Sequence, residues 1–278
     1  MKTYLVPTDY SEVADNATRY AIALARKEQA KIVLFHVFQI PYPVAHDAYF
    51  PVVSIDELER DSMAALEKYR DKLLEESDNS VQIECFTMAG FVTEGVEAYL
   101  DNHSVDLIIM GITGGSKMKE LFIGSNATSV ARNSKKNVLI VPAGVKYRDV
   151  HKIGFATEFE MENEEKIERQ VKHFADLFHA RVVAINISDN EDLNTPEKAG
   201  HIREVQSHFS NYKFSMANIE SDEVDTQIEH YVEDHKCDWL VVVPKHHNVL
   251  GNLFNKSLTK QLAYHLHVPI LAVNELRD

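Results

Sequence analysis

The chain reads twice, and that restricts its fold more than any other feature. In the first half Val13, Ala17, Tyr20, Ala21 and Leu24 fall on one helical face, and Ile167, Val171, Phe174, Ala175 and Phe178 repeat the same offsets in the second. An apolar run ending in a threonine and an acid precedes each helix: Tyr4 to Asp9 in one half, Ile153 to Glu158 in the other. A β-branched run follows each, Lys31 to Val37 and Arg181 to Ile187. Later come Val105 to Met110 and Cys237 to Val243, and the halves close on Val138 to Val141 and Ile270 to Val273.

Such continuous Val/Ile/Leu runs, alternating with amphipathic helices, indicate a parallel sheet covered on both faces, because a one-sided sheet would show polar alternation. The expected class is therefore α/β, with two tandem five-stranded parallel-sheet domains at 1–145 and 151–278. With 278 residues and 45% hydrophobic side chains the chain can bury two such cores. Ala143 to Val150 has no helical period and reads as the linker; Gln39 to Ser54, with prolines and aromatics, reads as an insertion.

In an open parallel sheet, ligands sit beyond the carboxyl ends of the strands, where helix N-termini point outward. After Met110 the chain runs Gly111, Gly114, Gly115, then Gly124 and Ser125 at the start of a helix from Asn126 to Asn133. A polyphosphate needs many short N–H contacts, and a Cβ at the closest approach would hold the backbone away. Gly111, Gly114 and Gly124 would permit that approach, and Ser125 adds a hydroxyl where the helix dipole favours negative charge. Lys117 and Lys119 could neutralise outer phosphates or stay solvated. On this basis Gly111→Val or Gly124→Glu is expected to abolish binding and leave the fold intact.

Glycine, two residues, glycine, nine residues, glycine-serine resembles the ATP-binding signature of the universal stress proteins, and Gly111, Gly114, Gly124 and Ser125 match it without a gap. Leu5 to Ser11 and Gly90 to Val96 resemble the family's first strand and the turn before its third helix. The resemblance covers nearly the whole chain and implies a tandem, Rossmann-like member. By it, Asp9 would sit at the ribose and adenine end with Pro7 and Thr8 lining it, and Val37 would meet adenine through its backbone. Met110 and Gly111 would line the ribose, while Gly114, Gly124, Ser125, Asn126 and Ala127 would hold phosphates. The implied cofactors are ATP and Mg²⁺, the ion coordinated chiefly by phosphate oxygens and water. Pairing of the halves through their last strands, as an internal pseudo-dimer, is also implied; further homodimerisation stays open. Other roles exist for three of these residues: Asp9 as an acid favouring the helix dipole, Ser11 as a helix cap, Thr8 as a strand-end hydroxyl bonded to backbone.

The second half departs from the signature. Aligning Leu240 to Val243 on Leu107 to Met110 sets Pro244 opposite Gly111, His247 opposite Gly114 and Lys256 opposite Gly124, with Ser257 keeping the serine and one residue lost from the loop. Proline lacks an N–H and side chains crowd the phosphate path, so one ATP per chain is expected. Eleven of the fourteen histidines lie in this half, but adjacent and i, i+2 spacings do not converge on one metal ion.

A net charge of -14 excludes nucleic acid and anionic membranes as partners. With no apolar span, no signal-like start and only Cys85 and Cys237, the chain is expected in a reducing cytoplasm. P-loop, dinucleotide and nucleophile-elbow motifs are absent, and no residue is assigned as catalytic. The expectation is a nucleotide-dependent stress-response or signalling module that a protein partner reads. Slow ATP hydrolysis or autophosphorylation at Thr113, Ser116 or Ser125, and a ligand-free scaffold, are the alternatives.

Overall fold

The computed structural model describes residues 1–40, 54–112, 125–156, 164–188, 196–220, 224–243 and 266–274. The first half contains β1 (Thr3–Pro7), α1 (Glu12–Glu28), β2 (Lys31–Phe38), α2 (Ile55–Glu76), β3 (Ile83–Ala89), α3 (Val92–Asn102), β4 (Leu107–Ile112), α4 (Ser125–Asn133) and β5 (Val138–Pro142). The second contains β6 (Lys152–Ala156), α5 (Glu164–Phe178), β7 (Arg181–Ser188), α6 (Pro196–His208), β8 (Phe214–Glu220), α7 (Val224–Asp234), β9 (Trp239–Val242) and β10 (Ile270–Ala272).

The ten strands among the described residues join one sheet in the order β3-β2-β1-β4-β5-β10-β9-β6-β7-β8. Within each half every neighbouring pair is parallel, and the two halves carry the same strand order. The halves meet at an antiparallel pair, with Ile270 opposite Ile140, Leu271 opposite Leu139 and Ala272 opposite Val138. Each face carries its own core, and each core runs through both halves. One gathers Tyr4, Leu24, Leu66, Phe174, Val205 and Trp239 under α1, α2, α5 and α6. The other gathers Leu5, Val96, Met110, Val130, Ile228 and Ile270 under α3, α4 and α7. Burial on both faces explains why the strands read as uninterrupted apolar runs.

Backbone hydrogen bonds correct two of the expected alignments. Ala30 N donates to Ala25 O as Ala180 N does to Ala175 O, and the preceding Gln29 and His179 both take positive φ, 54° and 53°. Ala175 therefore answers Ala25, and Ile167 answers Ala17 rather than Val13. A shift of four residues turns a helix by only about 40°, so periodicity reports the face and not the turn. In the strands, Tyr4 pairs with Leu107 as Ile153 pairs with Trp239. Asp106 Oδ2 accepts from Thr3 N at 2.8 Å, and Asp238 Oδ2 from Lys152 N at 3.0 Å, which fixes Asp106 and Asp238 as equivalents. Val243, not Pro244, then stands opposite Gly111, and His246, not His247, opposite Gly114. Ile108 pairs with Val138 and Leu240 with Ile270, so thirty residues span each interval and no residue is lost from the second loop.

Residues 143–150 are packed rather than loose. Asn16 Nδ2 donates to Val145 O at 3.0 Å and to Pro142 O at 3.3 Å, Val145 and Tyr147 pack on the core, and Val150 is buried. Arg148 pairs with Asp238 at 3.2 Å.

Candidate functional site

The strand order reverses between β1 and β4: the chain leaves β1 for β2 on one side and later returns to β4 on the other. Loops leaving the carboxyl ends of two such strands diverge and leave a crevice between them. The segments flanking it are Thr8-Asp9 after β1, and Met110-Gly111 in β4. Val37 lies one strand further, in β2, which continues one residue past it to Phe38.

The turn after β1 is held by its own side chains. Thr8 is buried; its N–H donates to Phe35 O at 2.9 Å, and its Oγ1 accepts from Tyr10 N at 3.1 Å. His36 Nδ1 lies 2.7 Å from Thr8 O and donates to it. Asp9 is exposed, and its Oδ1 accepts from Ser11 N at 3.0 Å. Ser11 Oγ accepts from Ala14 N at 3.2 Å and caps α1. Tyr10 adopts φ 62°, a conformation unusual for a side-chain-bearing residue and fixed here by the two flanking turns. Asp9 therefore holds the turn with one oxygen. Its Oδ2 has no hydrogen-bond partner among the described residues.

Gly111 answers to a different neighbour from the one its sequence suggested. A Cβ there would lie 2.5 Å from Val13 O and 2.8 Å from Val13 Cγ1, so the missing side chain first serves the close approach of α1 to β4. The expectation that Gly111→Val leaves the fold intact is thereby overturned. Met110 is buried in the core under α4, and Val37 is half-buried beside Met88 and Gly95. Pro7 is buried at the end of β1. The helix with the dipole facing this edge begins at Ser125; its Asn126 is exposed and Ala127 buried. Gly114 and Gly124, with Thr113, Ser116, Lys117 and Lys119, lie outside the described residues, as do Pro244, His246, His247, Lys256 and Ser257 of the second loop. In the second half Val243 is buried where the first has Gly111.

Two side chains that sequence reading did not single out stand beside Asp9. The Tyr10 ring is tilted against His36 at 4.7 Å between centroids and meets the edge of Tyr69 at 5.6 Å. Burial pushes the Tyr10 phenol up to about 12, with a contribution from Cys85, so it stays a neutral donor. The residues are 26 apart in sequence, and only the β1–β2 pairing joins them. Among the described residues no three His, Cys, Asp or Glu side chains converge to hold a metal, and no helix is long and apolar enough to cross a membrane.

Comparison with known proteins agrees with this architecture. Residues 1–142 match the model of the universal stress protein family. A universal stress protein of Methanocaldococcus jannaschii is 26% identical over 152 residues, covering 50% of this chain and 94% of the relative. A second from the same organism is 29% identical over 141 residues, covering 50% and 81%. The crystal structure of a universal stress protein from Archaeoglobus fulgidus shares the fold along 98% of both chains, with a TM-score of 0.75 at 16% identity. With that model matched across the first half and the same strand order repeated in the second, the chain belongs to the universal stress protein family.

Proposed function

We propose that the chain is a nucleotide-dependent stress-response or signalling module of two domains, 1–145 and 151–278, with one ATP bound in the first. The observation that carries this reading is the convergence of Thr8-Asp9 and Met110-Gly111 on the crevice where strand order reverses, with α4 starting at the end of the loop between. Asp9 Oδ2 is free to accept from ribose or adenine, and the Tyr10 ring offers a flat apolar surface beside it. The backbone from Gly111 to Ala127, with Gly114, Gly124, Ser125 and Asn126, would hold the phosphates. Mg²⁺ would enter with the triphosphate and take its remaining ligands from water. In the second domain Val243 brings a side chain to the Gly111 position, and His246 and Lys256 replace the other two glycines, which speaks against a second ATP. Binding without efficient turnover fits a site to which no general base is assigned, and a partner would read the state of the loop.

The test is nucleotide extraction and native mass spectrometry of freshly purified protein, followed by titration with ATP and Mg²⁺. One ATP per chain is expected, lost in Gly124→Glu and retained in Lys256→Ala. Two ATP per chain, or none at millimolar concentration, would overturn the proposal.

A further inference from the structure

Because the halves meet antiparallel, the amino ends of their strands reach the seam at opposite edges of the sheet, and the two places are not alike. On one side Trp239, Phe174 and Phe178 pack together, with ring centroids 5.1 to 5.2 Å from the tryptophan, and Trp239 Nε1 donates to Tyr20 Oη at 2.7 Å. On the other side the equivalent of Trp239 is Leu107, and that of Phe178 is Glu28. Asn137 replaces Pro269, each offering its carbonyl to the next strand at 3.0 Å. Both places are open, with a cleft of about 320 Å³ beside Trp239 and a larger one of about 440 Å³ beside Leu107, where the side chains are smaller and polar.

Cationic and amide groups line it, although the chain as a whole carries -14. Lys2 and His173 are committed to the buried Glu28 carboxylate at 2.6 and 2.7 Å. Lys136 and Arg169 have no ion-pair partner among the described residues. Both line the cleft, Lys136 from the first half and Arg169 from α5 of the second, and their chain neighbours Asn137 and Gln170 join the two walls by a hydrogen bond of 3.0 Å. Asn274, which also lines the cleft, braces this side by donating to Lys136 O at 2.9 Å. Among the described lining residues the one other carboxylate, Asp106, accepts from Thr3 N through Oδ2. From this geometry we infer that the cleft is an anion site, separate from the nucleotide crevice, that binds the phosphate or carboxylate group of a small metabolite through Lys136 and Arg169. The volume suits a small ligand, and a guanidinium and an ammonium lining one cleft suit a planar or tetrahedral oxyanion.

Calorimetric titration of the full nucleotide-free chain with inorganic phosphate, and separately with citrate, tests the site. Saturable binding of either at one per chain is expected, weakened at least tenfold in Lys136→Ala/Arg169→Ala and unchanged by saturating ATP with Mg²⁺ or by Gly124→Glu. The tighter of the two anions identifies the recognised group. Both truncated side chains reach solvent, so this double variant keeps the fold. Binding equal in the double variant, displacement by ATP, or no saturable binding of either anion would overturn the inference.

Discussion

Glu28 ends the first helix, 3% exposed at its side chain, yet it is the point where charge crosses the seam. Burial pushes its carboxyl up, but hydrogen bonds and charge from His173 and Lys2 outweigh that and hold it below the usual glutamate range; Tyr4 donates to its other oxygen. A depressed folded value means the stabilisation is complete above the unfolded value, about 4.3, and is lost as pH falls through the folded one. Glu28→Gln should therefore cost about 1–3 kcal/mol at pH 7. In urea melts its deficit relative to the parent should shrink below about pH 4; a deficit constant with pH would contradict the pairing. Gly111 makes a second residue-scale prediction. Gly111→Ala should destabilise by about 1–3 kcal/mol, because a methyl group meets the backbone of Val13 and α1 must shift. Asp9→Asn keeps the acceptor for Ser11 N and should stay within about 0.5 kcal/mol of the parent. It is the cleaner probe of the nucleotide crevice: ATP affinity should fall without any change in urea midpoint.

At the scale of elements, α1 shows how the crevice is tied to helix start chemistry. Ser11 caps it, Glu12 and Asp15 lie in its first turn, and Arg26 and Lys27 in its last, all in the sense the helix dipole favours. Ser11→Ala should lower stability by about 1 kcal/mol, read from the urea midpoint. The element types and their order were legible in sequence, because buried β-branched runs and a 3.6-residue apolar period are local signals. Their mutual alignment was not. Strands apolar on both faces slide by one residue without a change in hydrophobic pattern, which is how Pro244 came to be set against Gly111 in place of Val243. Helices slide by a turn for the equivalent reason. Ladder hydrogen bonds and the Asp106 and Asp238 side chains remove that freedom, and neither is visible in composition. For the candidate site, motif alone points to Asp9, Met110 and Gly111, but the packing role of Gly111 depends on Val13, almost a hundred residues away. The Tyr10–His36 contact likewise exists only after two strands pair.

For the whole molecule the controlling fact is that neither core stops at the seam. Tyr20 of the first half and Trp239 of the second share a buried hydrogen bond, and Leu139 and Leu271 lie opposite each other in the antiparallel pair. Separating the halves would expose both β5 and β10 edges and strip the aromatic cover from Tyr20, so opening the seam costs much of what holds each half. The halves should then unfold in one transition. Trp239 is the only tryptophan and sits at this seam, fully buried, so its fluorescence reports the seam while far-UV circular dichroism reports all helices. The two signals should share one urea midpoint. If ATP binds the first half alone, ATP with Mg²⁺ at a hundred times the dissociation constant should add about 2.7 kcal/mol and move both midpoints together, because the coupling carries the ligand's effect into the second half. Removing the hydroxyl with Tyr20→Phe leaves the indole N–H buried without an acceptor and should lower both midpoints by the equivalent of about 1–3 kcal/mol. A fluorescence midpoint well below that of circular dichroism, in the parent or in this variant, would show that the seam opens first and that the halves are independent folding units.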